Sequence, residues 1–163
     1  MGNWRSKGAV VLSVLLLFCS SLTVLAEEIE PAGYHVYDVQ ETEVSDTWYG
    51  IARGNYLEAA ISKLTQGSSG NALCNGYTMA HFDCDRVYIR IYLDESDNGK
   101  DGWHTLDYWT GIKENGAVAA VKSGPYKVTG DKYYRVKGAH SVTQDDFTET
   151  TMTCTNALFF DKP

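Results

Sequence analysis

The sequence lacks the long patterns that would mark a helical or α/β protein. No region sustains a helical hydrophobic period over the length that βαβ units need. Also missing are HExxH spacing among the histidines, a GxSxG elbow and a Walker loop, so the common motifs of zinc proteases, α/β-hydrolases and nucleotide-binding proteins are absent. A nucleophile and a base that meet only in the fold leave no such motif, so catalysis stays open as an alternative.

Positive charge is scarce, with 14 lysines and arginines against 21 aspartates and glutamates and a net charge of −7. Nucleic acids and anionic membrane surfaces repel so acidic a chain, and we expect neither as a partner. Beyond the N-terminal region the sequence has no second long hydrophobic segment. We therefore expect no membrane span once that region has been removed.

The long hydrophobic run lies near the N-terminus. Arg5 and Lys7 precede the apolar residues 9–18, and Val24-Leu25-Ala26 follows them. A charged start, a short apolar run and small residues before a cleavage point are typical of a secretory signal peptide. The run is shorter than the ~20 residues that a spanning helix needs. We predict a signal peptide at residues 1–26 and a secreted, extracellular product.

The rest of the chain divides by composition into a lead-in and a domain. Residues 27–53 are acidic, and Pro31-Ala32-Gly33 interrupts any regular pattern there. We predict an irregular lead-in, whose apolar residues Trp48 and Tyr49 are able to dock onto the domain. Residues 54–163 are sufficient for a single domain of ordinary size.

Three cysteines remain after the predicted signal peptide, and none forms a CxxC pair: Cys74, Cys84 and Cys154. Export permits a disulfide, and the odd count leaves at least one thiol outside any intramolecular bridge. The favoured alternative is three small, buried thiols. If one bridge forms, we expect it between Cys74 and Cys154, on strands of facing sheets.

A period of two is the pattern that the sequence does have. Between Asp83 and Asp94 the residues Val87, Ile89, Ile91 and Leu93 alternate with polar and aromatic ones, which predicts a strand with one buried side. Further strands between turn signals are predicted at residues 71–79, 103–109, 117–121, 132–142 and 148–160, and residues 55–64 fit a helix or a strand. About seven such strands predict an all-β, antiparallel, immunoglobulin-like β-sandwich.

The turn after this central strand imitates the start of a calcium loop. Asp94, Ser96 and Asn98 place oxygen ligands at alternate positions, ahead of Gly99. The twelfth position is Thr105, where such a loop needs a bidentate acid. An acidic Asn-Gly turn is therefore favoured, with Ca²⁺ as the alternative, and we expect no other cofactor.

Two residues of the strand at 132–142 are expected to face the interior. His140 shares its phase with Val136 and Val142, so we expect a buried, hydrogen-bonded histidine. Tyr134 has the same phase, and in sandwich folds a tyrosine near the start of a late strand often bonds the backbone of the preceding corner. We expect the Tyr134 hydroxyl to do so, and Tyr133 and Arg135 to point outward beside the solvent-facing side of a neighbouring strand.

Aromatic side chains are the candidate binding residues. Tyr88 and Tyr92 lie on the solvent-facing side of the central strand, while Trp103 and Trp109 share a phase opposite to that of Tyr108. Exposed rings near acids form surfaces for sugars or protein partners. For the two tryptophans the favoured alternative is that they fill the core, because large aromatic residues are mostly buried.

Several short patterns together resemble a known family. They are Gly70-x-Ala72, Gly76-x-Thr78-x-Ala80, Cys84-Asp85-x-Val87, Ile91-Tyr92-Leu93, Trp103, and Tyr133-Tyr134-Arg135-Val136 with His140, Glu149 and a Thr-rich last strand. Over residues 53–160 the chain resembles a family of small secreted proteins of unknown function from Clostridia-type bacteria. The resemblance implies export and an all-β domain, and it implies no activity.

These patterns together predict a secreted, single-domain β protein without catalysis of its own. We expect a binding or surface-interaction module whose partner is an extracellular glycan or protein. The alternatives are a small secreted hydrolase and a toxin- or bacteriocin-like effector. An enzyme should bring two titratable groups together in a pocket, whereas a binding module should present aromatic residues on an open face.

Overall fold

One long strand, β3 (Asn71–Ser96), runs through the middle of the sheet. The structure is a computed structural model and describes residues 42–50, 56–67 and 70–161. In β3 the side chains of Val87, Ile89, Ile91 and Leu93 are each 0% exposed, and the residues between them are half-buried. The prediction of a central strand with one buried side is confirmed.

Within the described residues six more strands build the sheet around β3, and all of their pairs are antiparallel. They are β1 (Glu43–Tyr49), β2 (Leu57–Gln66), β4 (His104–Lys127), β5 (Lys132–Gln144), β6 (Phe147–Cys154) and β7 (Leu158–Phe160). The order is β1-β2-β3-β5-β6, with β4 paired to β3 and β7 paired to β5. The described residues contain no α-helix and no helix able to cross a membrane. The all-β, antiparallel, seven-stranded expectation is confirmed.

The sheet curls because β3 changes partner half-way along. On one edge its residues 72–80 pair with β2 and its residues 86–96 pair with β5, while β4 follows the other edge. The register shifts between Met79 and Cys84, and such an irregularity bends a strand. The two halves of β3 therefore belong to two layers of one curled sheet. An immunoglobulin-like sandwich of two separate sheets is not confirmed.

The two layers fit because one carries small residues where the other carries large ones. A methyl group on Gly76 would lie 2.5 Å from Ile91 Cγ2 and 2.9 Å from Ile89 Cδ1. A methyl group on Gly111 of β4 would likewise collide with the backbone carbonyl of Ala120. The small residues of the first half of β3 thus give room to the aliphatic side chains of the second half, as interior packing density requires.

The predicted lead-in is regular where the structure describes it. Residues 43–49 form strand β1, paired with β2, so the prediction of an irregular segment up to residue 53 is wrong there. Val44 is buried and Trp48 packs against the core, whereas Tyr49 is exposed. The alternation was hidden because the residues between the apolar ones are acidic or hydroxylic. The predicted signal peptide and residues 27–41 and 51–53 lie outside the described residues.

Several predicted strand boundaries also change. The strands predicted at 71–79 and 83–94 are one strand, β3, and those at 103–109 and 117–121 are one strand, β4. Asn115, with a positive φ of 50°, and Gly116 mark a bend within β4. The ambiguous residues 55–64 correspond to strand β2, and the last predicted strand is divided into β6 and β7. Local turn signals here mark bends as well as strand ends.

Candidate functional site

The outward side of the second half of β3 carries two arginines that alternate with two tyrosines, followed by an aspartate. We call this row the stripe, and it consists of Arg86, Tyr88, Arg90, Tyr92 and Asp94. At a rise of about 3.3 Å per residue the stripe extends over roughly 26 Å. Its residues face outward because the alternate positions of the same strand fill the core.

The neighbouring strands add side chains to both flanks of the stripe. Directly opposed residues of an antiparallel pair share a face. The register therefore places four further outward side chains beside the stripe: Tyr108 and Thr110 from β4, and Arg135 and Lys137 from β5. Three strands together build one continuous outer face.

Arg90 is held at the centre of this face. Its Nε donates to Thr110 Oγ1 at 3.1 Å, and its guanidinium carbon lies 4.9 Å from the ring centre of Tyr108 and 5.9 Å from that of Tyr88. A hydrogen bond with Tyr92 raises the pKa of Arg90. These contacts fix the cation, and the bond to Thr110 uses one of the five N–H groups of the guanidinium.

Other cations lie over other rings of the same face. Arg86 lies 5.6 Å from the centre of the Tyr88 ring, and Lys137 lies 5.9 Å from that of Tyr92. Tyr92 and Tyr108 are themselves 6.2 Å apart between ring centres. Each of these cation–ring contacts contributes about 0.5–1 kcal/mol at exposed sites, and together they restrict the side chains of the face.

The stripe ends at a buried carboxylate, that of Asp94, which is 1% exposed. It accepts hydrogen bonds from Thr105 Oγ1 at 2.7 Å and from Arg135 Nε at 3.2 Å, and Lys137 Nζ lies 3.0 Å away. Arg135 also lies over the Trp103 ring, 4.1 Å from its centre. Two cations surround one carboxylate, so this end of the stripe has no uncompensated negative charge.

The structure brings most of the predicted aromatic residues together. Tyr88, Tyr92 and Tyr108 lie on the outer face, and Trp103 reaches its end through Arg135. Trp109 lies on the opposite side, where it packs against the core and contacts Tyr126 edge-to-face. The shared phase of the two tryptophans is lost because the register shifts between Leu93 and Asp94.

Sequence reasoning did not include the cations among the candidate binding residues. For Arg86 and Arg90 a signal existed, since each alternates with a tyrosine on the predicted solvent-facing side. Arg135 was expected to point outward beside a neighbouring strand, but which strand Arg135 and Lys137 flank depends on the pairing of β3 with β5.

The residues of the suggested calcium loop are engaged elsewhere. Asp94 binds Arg135 and Lys137, whereas Ser96 donates to the Asp101 carbonyl at 2.5 Å. Asn98 Oδ1 accepts the backbone N–H groups of Lys100 and Asp101. In the part of the chain that is described, no group of three or more His, Cys, Asp or Glu residues is arranged to hold a metal ion. Calcium binding stays a prediction, and it would require these hydrogen bonds to be exchanged for metal contacts.

Among the described residues Cys74 and Cys154 are not joined to each other, and the suggested bridge between them stays a prediction. Burial raises the pKa of Cys74 to about 12. Burial, together with the charges of Asp85, Asp83 and Glu149, raises the pKa of Cys84. A nucleophilic cysteine needs a lowered pKa, so neither of these two is activated.

A chain of hydrogen bonds crosses the interior between the layers. Thr78 Oγ1 donates to the Tyr88 carbonyl at 2.9 Å and lies 2.8 Å from His140 Nδ1. Because the hydroxyl proton of Thr78 is used in this way, Nδ1 is the donor and carries the imidazole proton. His140 Nε2 then accepts from Thr153 at 2.8 Å, and Thr153 accepts from Ser62 at 2.6 Å.

The interior series of hydrogen bonds holds His140 in its neutral form. Burial lowers the pKa of His140 to about 4, against the opposing effect of a backbone hydrogen bond at Tyr77. The imidazole is 2% exposed, so the structure does not present it to a substrate. The prediction of a buried, hydrogen-bonded histidine is confirmed.

Comparison with models of protein families identifies the family of this chain. Residues 22–158 match the model described as "Family of unknown function (DUF6147)", and the chain belongs to that family. The match starts before β1, which agrees with the finding that the domain includes residues ahead of 53. Comparisons with curated proteins and with solved structures give no significant match. A function must therefore be argued from the outer face itself.

Proposed function

We propose that this chain is a secreted, non-catalytic binding module, which engages an extracellular glycan or protein through the stripe and its flanking side chains. The observation that carries the proposal is the outward cluster of Tyr88, Arg90, Tyr92 and Tyr108, built on the adjacent strands β3 and β4. Export is supported by the N-terminal pattern of residues 1–26.

The arrangement suits recognition because its side chains are already ordered. Arg90 is held by Thr110 and the rings beside it, so little side-chain freedom is lost when a ligand binds. Tyr108 is 56% exposed and offers a flat surface at low entropic cost. Tyrosine and arginine are also the residues that most often dominate binding energies at interfaces.

The hydrolase alternative has less support. It needs an accessible pair of titratable groups in a pocket, whereas His140 is closed off from solvent. The exposed His104 lies 3.4 Å from the Glu95 carboxylate, but that carboxylate already binds Lys132 and Tyr134. No observation specifically favours a toxin-like effector. We therefore retain the binding module as the single proposal.

A glycan array, followed by affinity capture of extracellular proteins, tests the proposal on the purified protein. Tyr108→Ala should weaken binding by on the order of tenfold or more, as loss of a central aromatic contact does. Tyr49→Ala is the matched control, because Tyr49 is equally aromatic and 73% exposed but lies on β1. In urea denaturation Tyr49→Ala should change the free energy of unfolding by no more than about 0.5 kcal/mol. Tyr108→Ala should lower it by no more than about 1 kcal/mol, since it also loses its contact with the Tyr92 ring. Ligands that bind both variants as well as the unaltered protein would contradict the proposal.

A further inference from the structure

The outer face is positively charged although the whole chain is acidic. Its outward positions carry the cations Arg86, Arg90 and Lys137, the buried cation Arg135, and two carboxylates, Asp94 and Glu114. Asp94 is buried between two of the cations, and Glu114 lies 3.5 Å from Arg86. Both carboxylates are compensated within the face, which leaves a surplus of positive charge.

The net charge of −7 does not cancel this local surplus. At physiological ionic strength the screening length is about 8 Å, so acids beyond that distance have little effect on a ligand at the stripe. Two nearer acids, Asp85 and Asp107, have the opposite phase on their strands from the residues of the face. The charges within the face decide which ligand it attracts, and they favour a negatively charged one.

The shape of the stripe limits the ligand further. Arg86 and Arg90 are four residues apart, about 13 Å along the strand, with Tyr88 between them and Tyr92 beyond. A straight row that alternates cation and ring fits an extended polymer in which each unit has both a flat apolar face and an acidic group. Acidic peptides supply the charge without rings at this spacing, and neutral polysaccharides supply rings without charge.

From these features, and resting on the proposed binding role, we infer that the ligand of the stripe is an acidic polysaccharide. Its sugar rings pack against Tyr88 and Tyr108, and its carboxylates bind Arg86 and Arg90. The guanidinium of Arg90 suits a carboxylate because its planar N–H groups match two oxygens.

The test measures binding of the purified protein to polygalacturonate, to neutral dextran and to polyglutamate by isothermal titration calorimetry at 50 and 300 mM salt. We expect binding to polygalacturonate, weakened at high salt because exposed charges are then screened. Arg90→Gln should lower the affinity on the order of tenfold. Lys122→Gln is the matched control, since it removes one exposed cation from the other half of β4 and should leave the affinity unchanged.

The outcomes separate this inference from the proposed function. Dextran binding that depends on Tyr108 but not on Arg90 would overturn the inference and leave the binding module intact. Polyglutamate binding with equal affinity would also overturn it, since an acidic protein partner would then be indicated. If Arg90→Gln and Lys122→Gln lower the affinity for polygalacturonate equally, the attraction is non-specific and the role of the stripe is refuted.

Discussion

Stability should fall as the pH is lowered through the range in which His140 would ordinarily take up a proton. In the unfolded chain a histidine has a pKa of about 6.5, whereas burial lowers the pKa of His140 to about 4 in the fold. Between these values the unfolded chain binds a proton that the folded protein excludes. Stability is therefore complete above about pH 6.5 and decreases toward pH 4, by about 3 kcal/mol in total.

The measurement is urea denaturation at pH 7.5, 6.5, 5.5 and 5. Between pH 6.5 and 5 the loss should be about 2 kcal/mol, from a slope of up to about 1.4 kcal/mol per pH unit. Carboxylates act mainly at lower pH. Hydrogen bonds from Lys132 and Tyr134, against the opposing effect of burial, hold the pKa of Glu95 below 4.5, so its contribution is lost only below that value.

His140→Asn is the control for this prediction. Its amide can still donate to Thr78 but does not titrate, so the variant should be less stable at neutral pH and should show little change between pH 6.5 and 5. An unaltered protein whose stability is flat over this range would refute the reasoning. So would an NMR titration in which the His140 ring protons shift with a midpoint near 6.5.

Two further predictions concern Tyr134 and the thiols. Tyr134→Phe should cost about 2 kcal/mol in urea denaturation, because the buried hydroxyl lies 2.6 Å from both Glu95 Oε2 and the Thr129 carbonyl; Tyr133→Phe should cost close to nothing, and a larger loss there would reverse the assigned faces. In denaturant the unreduced protein, expressed from residue 27 onward, should react with a thiol reagent at three positions, Cys74, Cys84 and Cys154. A single reactive thiol would instead show that a bridge forms.

The sequence predicted the elements whose pattern is local. The alternation in β3 and the inward phase of Tyr134 and His140 follow from a period of two, and each is confirmed by burial. The Tyr134 hydroxyl contacts the backbone of the preceding corner, at Thr129, as expected. The sequence did not predict that β3 and β4 are continuous strands. Residues 81–83 and Asn115-Gly116 look like strand ends in the sequence, but they are bends within β3 and β4. A bend and an end have the same local composition, and only pairing across the sheet separates them.

The candidate site was predictable on one strand but not across strands. Tyr88 and Tyr92 were expected on the solvent-facing side and lie there. The neighbours that make them a surface depend on register, which no local pattern determines. Trp109 shows the consequence, because a single register shift after Leu93 separates it from the aromatic residues with which it was grouped.

The interior hydrogen-bond chain gives a physical reason why that register is held. Ser62, Thr78, His140 and Thr153 come from β2, β3, β5 and β6, and a slip of one residue in any of these strands would turn its member to the outside. Unsatisfied buried polar groups are costly. A slipped strand register would therefore cost more free energy in this protein than in one with a purely apolar core. The last hydrogen bond of this series goes to the backbone carbonyl of Tyr88, and the side chain of Tyr88 belongs to the stripe. The buried polar groups and the outer face are thus two sides of one strand, and the register that satisfies the first also aligns the second.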